Sequence, residues 1–116
     1  PQDLPDAIVP VPLHRSRLRT RGYNQARELA RPLARHLGLP LLGCLRRSRR
    51  TTAQTELDAR ARRDNLRDAF SVTGVVPPHV AIVDDVMTTG ATMKACARAL
   101  LAAGATTVDA WALARA

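Results

Sequence analysis

The sequence predicts a soluble α/β domain, a parallel sheet covered by helices, and three observations lead there. Apolar residues make up 46% of the 116-residue chain but aromatic ones only 3%. The core is therefore Leu, Val, Ile and Ala, which suits helices packed on a sheet better than an aromatic-rich sandwich. Short β-branched runs alternate with stretches of helical period. Residues 80 to 113 then read as strand, helix and strand with the spacing of one right-handed parallel crossover. The length suffices for one domain, residues 1 to 116, and not for two independent cores.

Residues 7 to 13 (AIVPVPL) form a short strand running into a loop, the prolines marking where pairing stops. Ala26, Leu29, Ala30, Leu33, Ala34 and Leu37 share one helical face, and Gly38 with Pro40 ends that helix. Pro32 lies within the pattern and is expected to kink or split it. Residues 39 to 45 (LPLLGCL) suggest a second buried strand. Residues 46 to 67 are polar and basic, opening with RRSRR, and suggest a mobile loop followed by one or two helical turns. Residues 69 to 73 suggest a strand, and residues 74 to 79 a turn. The apolar run of residues 80 to 83 ends in Asp84 and Asp85, and a helix follows from about Thr89 to Ala103, with Gly104 as its stop. Residues 106 to 113 supply the closing strand.

The formal charge of +8 is almost wholly arginine, since Lys94 is the only lysine. Two explanations stand beside each other. Arginine's planar fork suits bidentate contact with phosphate oxygens, which points to anionic partners, and arginine also replaces lysine on solvated faces. Arg27, Arg31 and Arg35 make a basic ridge at i, i+4 spacing that Glu28 partly neutralises. Cys44 and Cys96 lie far apart without a C-x-x-C pair, so neither a zinc knuckle nor a redox dithiol is expected, and both read as buried apolar residues. No apolar run approaches the roughly 20 residues of a membrane span and no signal peptide is visible, so a cytoplasmic location is the expectation. The chain opens at Pro1 rather than methionine, which suggests a fragment.

The chemistry concentrates in VAIVDDVMTTGAT, residues 80 to 92. A buried strand delivers two carboxylates to its carboxyl end, the edge where open α/β sheets bind ligands. The following loop opens a helix whose N–H groups carry partial positive charge, and Gly90 lets the backbone approach a phosphate closely. Thr88, Thr89 and Thr92 add hydroxyl donors. The acids would repel that phosphate, so they suit sugar hydroxyls or the water shell of a magnesium ion. A sugar phosphate satisfies both halves. Neither G-x-x-x-x-G-K-[ST] nor G-x-G-x-x-G is present, which argues against a P-loop or a dinucleotide-binding domain. The plainer alternative is a generic pair of acids at a strand end with a threonine capping the helix.

This stretch resembles the signature of the type I phosphoribosyltransferases. PVPLHRSRLRTRGYNQA (residues 10 to 26) and TTAQTELDARARRDNLRDAF (residues 51 to 70) resemble the ComF family of competence-associated homologues, so the resemblance covers nearly the whole chain. It implies a Rossmann-like three-layer fold with a minimal or absent hood. It also implies phosphoribosyl pyrophosphate (PRPP) with Mg2+ as ligand, the metal arriving on the ligand rather than on direct protein ligands. In this frame Asp84 and Asp85 are the catalytic pair, and Thr88, Thr89, Gly90, Ala91 and Thr92 hold the 5′-phosphate. Arg15, Arg19 and Arg21 are candidates for the pyrophosphate, while Arg46, Arg47, Arg49 and Arg50 are candidates in the mobile loop or against DNA. The four-cysteine zinc module common ahead of this domain is absent from the sequence.

Two functions follow from the resemblance. One is a transferase that moves phosphoribosyl groups to an acceptor with release of pyrophosphate, linked to competence and DNA uptake. The other is a non-catalytic module that holds single-stranded DNA beside a helicase-like partner. His14 could touch pyrophosphate but reads more simply as a bystander; His36 and His79 have no role. Tyr23 and Trp111 read as packing residues.

Overall fold

The computed structural model describes residues 3–12, 25–47, 69–87 and 90–115. Strand β1 is Ala7–Pro10, helix α1 Gln25–Leu37, β2 Leu45–Arg47, β3 Phe70–Val72, β4 His79–Met87, α2 Ala91–Ala102 and β5 Thr107–Arg115. Strands β1, β4 and β5 form a parallel sheet with β4 in the centre, in register from Ala7↔Val80 and from His79↔Thr107. The chain reaches β5 from β4 through α2, as expected of residues 80 to 113. A separate antiparallel ribbon joins β2 to β3.

Alternation along the strands sorts the core into two layers. Val9, Val80 and Ile82 face one side, where they pack with Met93, Cys96 and Leu100 of α2 and with Leu45 and Phe70 of the ribbon. Ile8, Ala81 and Val83 face the other, against Ala30 and Ala34 of α1, with Trp111 packed at the margin. Helices on both faces of a parallel sheet make the α/β arrangement expected from composition, with the three layers that the resemblance implied. Small residues at 26, 30 and 34, all buried, let α1 sit close to the strands. Both cysteines are free and buried. Burial pushes the Cys44 thiol up and the Cys96 thiol up to about 12, so both pack as neutral groups. No helix among the described residues is long and apolar enough to cross a membrane.

Both helices end on glycine as expected. Leu39 N–H donates to Ala34 O at 2.9 Å and Gly38 N–H to Arg35 O at 3.2 Å; Ala105 and Gly104 repeat the pattern on Leu100 and Leu101 at 3.1 and 3.2 Å.

Four expectations are corrected. Helix α1 runs unbroken through Pro32, which lies exposed on its outer side. Residues 39 to 45 do not make one strand: Leu41 forms a single parallel bridge with Ile8, and the chain then joins β3 instead. Pro40 has no N–H to extend that ladder, although its carbonyl accepts from Ile8 N–H at 2.9 Å. Strand β4 continues to Met87, four residues beyond the apolar run, because β5 pairs with it as far as Arg115. Helix α2 starts at Ala91 rather than Thr89 because Gly90 is left-handed, with φ of 83°.

At the opposite end of β4 from the acids, His79 Nε2 lies 2.7 Å from Asp109 Oδ2. Its backbone N–H donates to Asp6 Oδ2 at 3.0 Å, and Asp6 N–H returns a bond to His79 O at 2.6 Å. These contacts clasp the start of all three strands, a structural role the sequence did not suggest for His79.

Candidate functional site

The site is built where β4 leaves the core. Val83 is fully buried, whereas Asp84 and Asp85 are only half-buried, so the buried run of the central strand leads straight to two carboxylates at the carboxyl edge. Strand β1 frames the same edge, with Val11 N–H donating to Val83 O at 2.9 Å. Alternation gives Asp84 the α2 side of the sheet, in line with Val80 and Ile82, and Asp85 the α1 side. The carboxyl groups still interact, and Asp85 N–H donates to Asp84 Oδ1 at 2.9 Å.

Electrostatics mark Asp84 as unusual. Its carboxyl is pushed up to about 6, first by burial, then by a side-chain hydrogen bond with Asp85 and by the Asp85 charge. The backbone N–H of Asp85 and the Arg47 guanidinium pull the other way. A carboxyl shifted in this direction at the ligand edge of an α/β sheet makes Asp84 a candidate functional group.

Helix α2 begins four residues after Met87. Gly90 is its N-cap, and no side chain caps the helix. Lys94 N–H donates to Gly90 O at 2.9 Å, closing the first turn. The N–H groups at the start of a helix point out of its end, and the macrodipole adds positive charge there, which suits an anion. Only glycine adopts the left-handed cap without strain. Replacing Gly90 by Ala is expected to cost about 1–2 kcal/mol and to weaken inorganic phosphate binding, as checked by urea unfolding and calorimetry.

Of the residues predicted for the 5′-phosphate, Gly90, Ala91 and Thr92 thus sit at the start of α2, while Thr88 and Thr89 lie outside the described residues, as do Arg15, Arg19, Arg21, His14 and Tyr23. Arg49 and Arg50 do too. Arg46 and Arg47 prove to be strand residues rather than loop residues, because they pair with Ser71 and Phe70. Arg46 is exposed and its Nη1 donates to Gly43 O at 2.6 Å. Arg47 turns inward, its guanidinium carbon 4.7 Å from the Phe70 ring centroid. Sequence reasoning missed that distinction, because it depends on the pairing of residues 45 to 47 with residues 70 to 72. Arg27, Arg31 and Arg35 are exposed on α1, with Arg31 3.9 Å from Glu28.

Among the described residues no three His, Cys, Asp or Glu side chains gather to hold a metal ion. Two carboxylates near a helix start would fit magnesium as a companion of a phosphorylated ligand, since that ion keeps several waters and takes phosphate oxygens readily.

Comparison with known proteins follows the same line. The family model for the phosphoribosyl transferase domain matches residues 24–116. Competence protein F of Haemophilus influenzae is 44% identical over 118 residues, covering 97% of this chain and 52% of that protein. DNA utilization protein YhgH is 46% identical in Salmonella typhi and 44% in Escherichia coli strain K12, each over 114 residues, 97% of this chain and 50% of the relative. The chain spans about half the length of the curated relatives it matches. No solved structure matches it.

Proposed function

The chain belongs to the phosphoribosyl transferase domain family, and from that premise we propose that its carboxyl-edge site binds PRPP with Mg2+ and transfers the phosphoribosyl group in a process linked to competence and DNA utilization. One observation carries the proposal: the central strand bears two adjacent acids near its carboxyl end and is followed by a helix whose N-cap is a left-handed glycine without a side-chain cap. The acids suit ribose hydroxyls and the helix start suits the 5′-phosphate. The name of the H. influenzae relative supplies the link to competence and that of the enterobacterial relatives the link to DNA utilization.

In the reaction, the bond from the anomeric carbon to pyrophosphate breaks and an acceptor nucleophile forms the new bond, through an oxocarbenium-like state. Asp84 and Asp85 grip the ribose hydroxyls, and the start of α2 anchors the phosphate so that the sugar is held in a reactive orientation. Magnesium, carried on the pyrophosphate, would neutralise the charge of the leaving group. Arg15, Arg19 and Arg21 are the proposed side chains for that pyrophosphate.

The test pairs two measurements on the protein: calorimetric titration with magnesium PRPP and pyrophosphate release with candidate acceptors. Saturable binding at one site is the expected result, and no binding overturns the proposal. Binding without release favours the second reading, a non-catalytic module that holds single-stranded DNA beside a helicase-like partner. The exposed arginines of α1 together with Arg46 favour that reading. Its affinity for a single strand should fall with salt at a log–log slope of about 0.7 per neutralised phosphate, and a flat response excludes it.

A further inference from the structure

Arg47 occupies a place where a core aliphatic would be expected. On the ribbon, residues 45 and 47 share a face, and Leu45 on that face is buried in the core beneath α2. Across the ribbon Arg47 pairs with Phe70, which is buried in the same core, and its guanidinium stacks over the Phe70 ring at 4.7 Å, well within cation–π range. Arg46 points the other way, into solvent.

A cation at the edge of a core attracts carboxylates at that edge. The layer that packs against Leu45 and Phe70 contains Val80 and Ile82 of β4, and the next residue of β4 on that face is Asp84. Cys96 of α2 lies in the same layer. The guanidinium charge pulls the Asp84 carboxyl and the Cys96 thiol toward ionisation, although burial outweighs it at both. A planar cation pinned on an aromatic ring therefore stands on the Asp84 side of the sheet, at the ligand edge.

We propose that Arg47 is a positioning residue: held on Phe70, its guanidinium keeps the Asp84 carboxylate turned toward the hydroxyls of the ligand. The β2–β3 ribbon then sets how well the site tells a sugar phosphate from bare phosphate. The inference rests on the assignment of the acids to a sugar under the proposed function. It reassigns Arg47 from DNA or loop contact to the sugar end of the site, through Asp84.

The test compares two probes by calorimetry, ribose 5-phosphate with magnesium and inorganic phosphate alone. For the parent protein, ribose 5-phosphate should bind at least tenfold more tightly. Arg47→Met, which keeps the apolar stem, should lose most of that preference while its affinity for inorganic phosphate stays unchanged, which also shows that the variant is folded. Arg47→Lys keeps the charge but loses the planar stack, and should sit between the two, severalfold below the parent. Full preference in Arg47→Met overturns the inference, as does an equal loss for both probes, which would place Arg47 on the phosphate. Should Arg47→Met not fold, a parental preference in Arg47→Lys overturns it. A parent protein that binds both probes alike removes the sugar assignment itself, and the role of Arg47 falls with it.

Discussion

Asp84→Asn together with Asp85→Asn is expected to weaken magnesium PRPP binding by about 100-fold or more, while each change leaves the fold intact. A hydrogen bond from a hydroxyl to an ionised carboxylate contributes about 1.5–3 kcal/mol, so losing two of them compounds to that scale. Calorimetry measures it directly; parental affinity in the double variant would remove both acids from the site. The single Asp84→Asn change should also stabilise the protein, and only in one pH window. The carboxyl sits at about 6 when folded, above its ordinary value of 3.8. A raised carboxyl contributes stability that is fully present below the unfolded value and is lost as pH rises through the folded one. Ionised Asp84 therefore costs stability above about pH 6, and asparagine escapes that cost. With half of the side chain in solvent, the gain is about 1–2 kcal/mol at pH 7.5 after screening, and near zero at pH 4. Thermal melts at the two pH values check it. A variant that gains stability while losing ligand is what a strained functional acid predicts, whereas a merely structural acid would lose both.

Ile82→Ala is expected to destabilise the domain by about 2–5 kcal/mol. Ile82 lies in the middle of the central strand, fully buried under α2 and the ribbon, two residues before Asp84 on the same face. Domains of this kind are stable by only about 5–15 kcal/mol, so the loss is a large share of the total. Urea unfolding reads it, with Val75→Ala as the control. Val75 is 92% exposed and its truncation should move stability by no more than about 0.5 kcal/mol. Equal effects at the two positions would contradict the layered core.

What could be read from the sequence follows from what a sequence pattern encodes. Helical period fixed the inner face of α1, and β-branched runs located β1 and the start of β4, because burial repeats along the chain and leaves its mark in residue type. The glycines at 38 and 104 marked the helix ends for the same local reason. Pairing leaves no such mark: β4 extends past its apolar run to Met87 only because β5 lies beside it. The segment around Leu41 looked like a strand but makes one bridge, since Pro40 denies it a donor. At the site, the order of strand, acids and glycine-opened helix was legible in the sequence because it is contiguous. The inward turn of Arg47 was not, for it depends on Phe70, 23 positions away, coming to lie opposite in the ribbon.

Everything functional depends on the two carboxylates and the first turn of α2 gripping opposite ends of one small molecule. A crystal structure of the protein with magnesium and ribose 5-phosphate tests that most directly. The phosphate should lie on the N–H groups at residues 90 to 92, and the ribose hydroxyls within about 2.6–3.2 Å of Asp84 and Asp85. A phosphate bound elsewhere, or a sugar that leaves both carboxylates untouched, would contradict it.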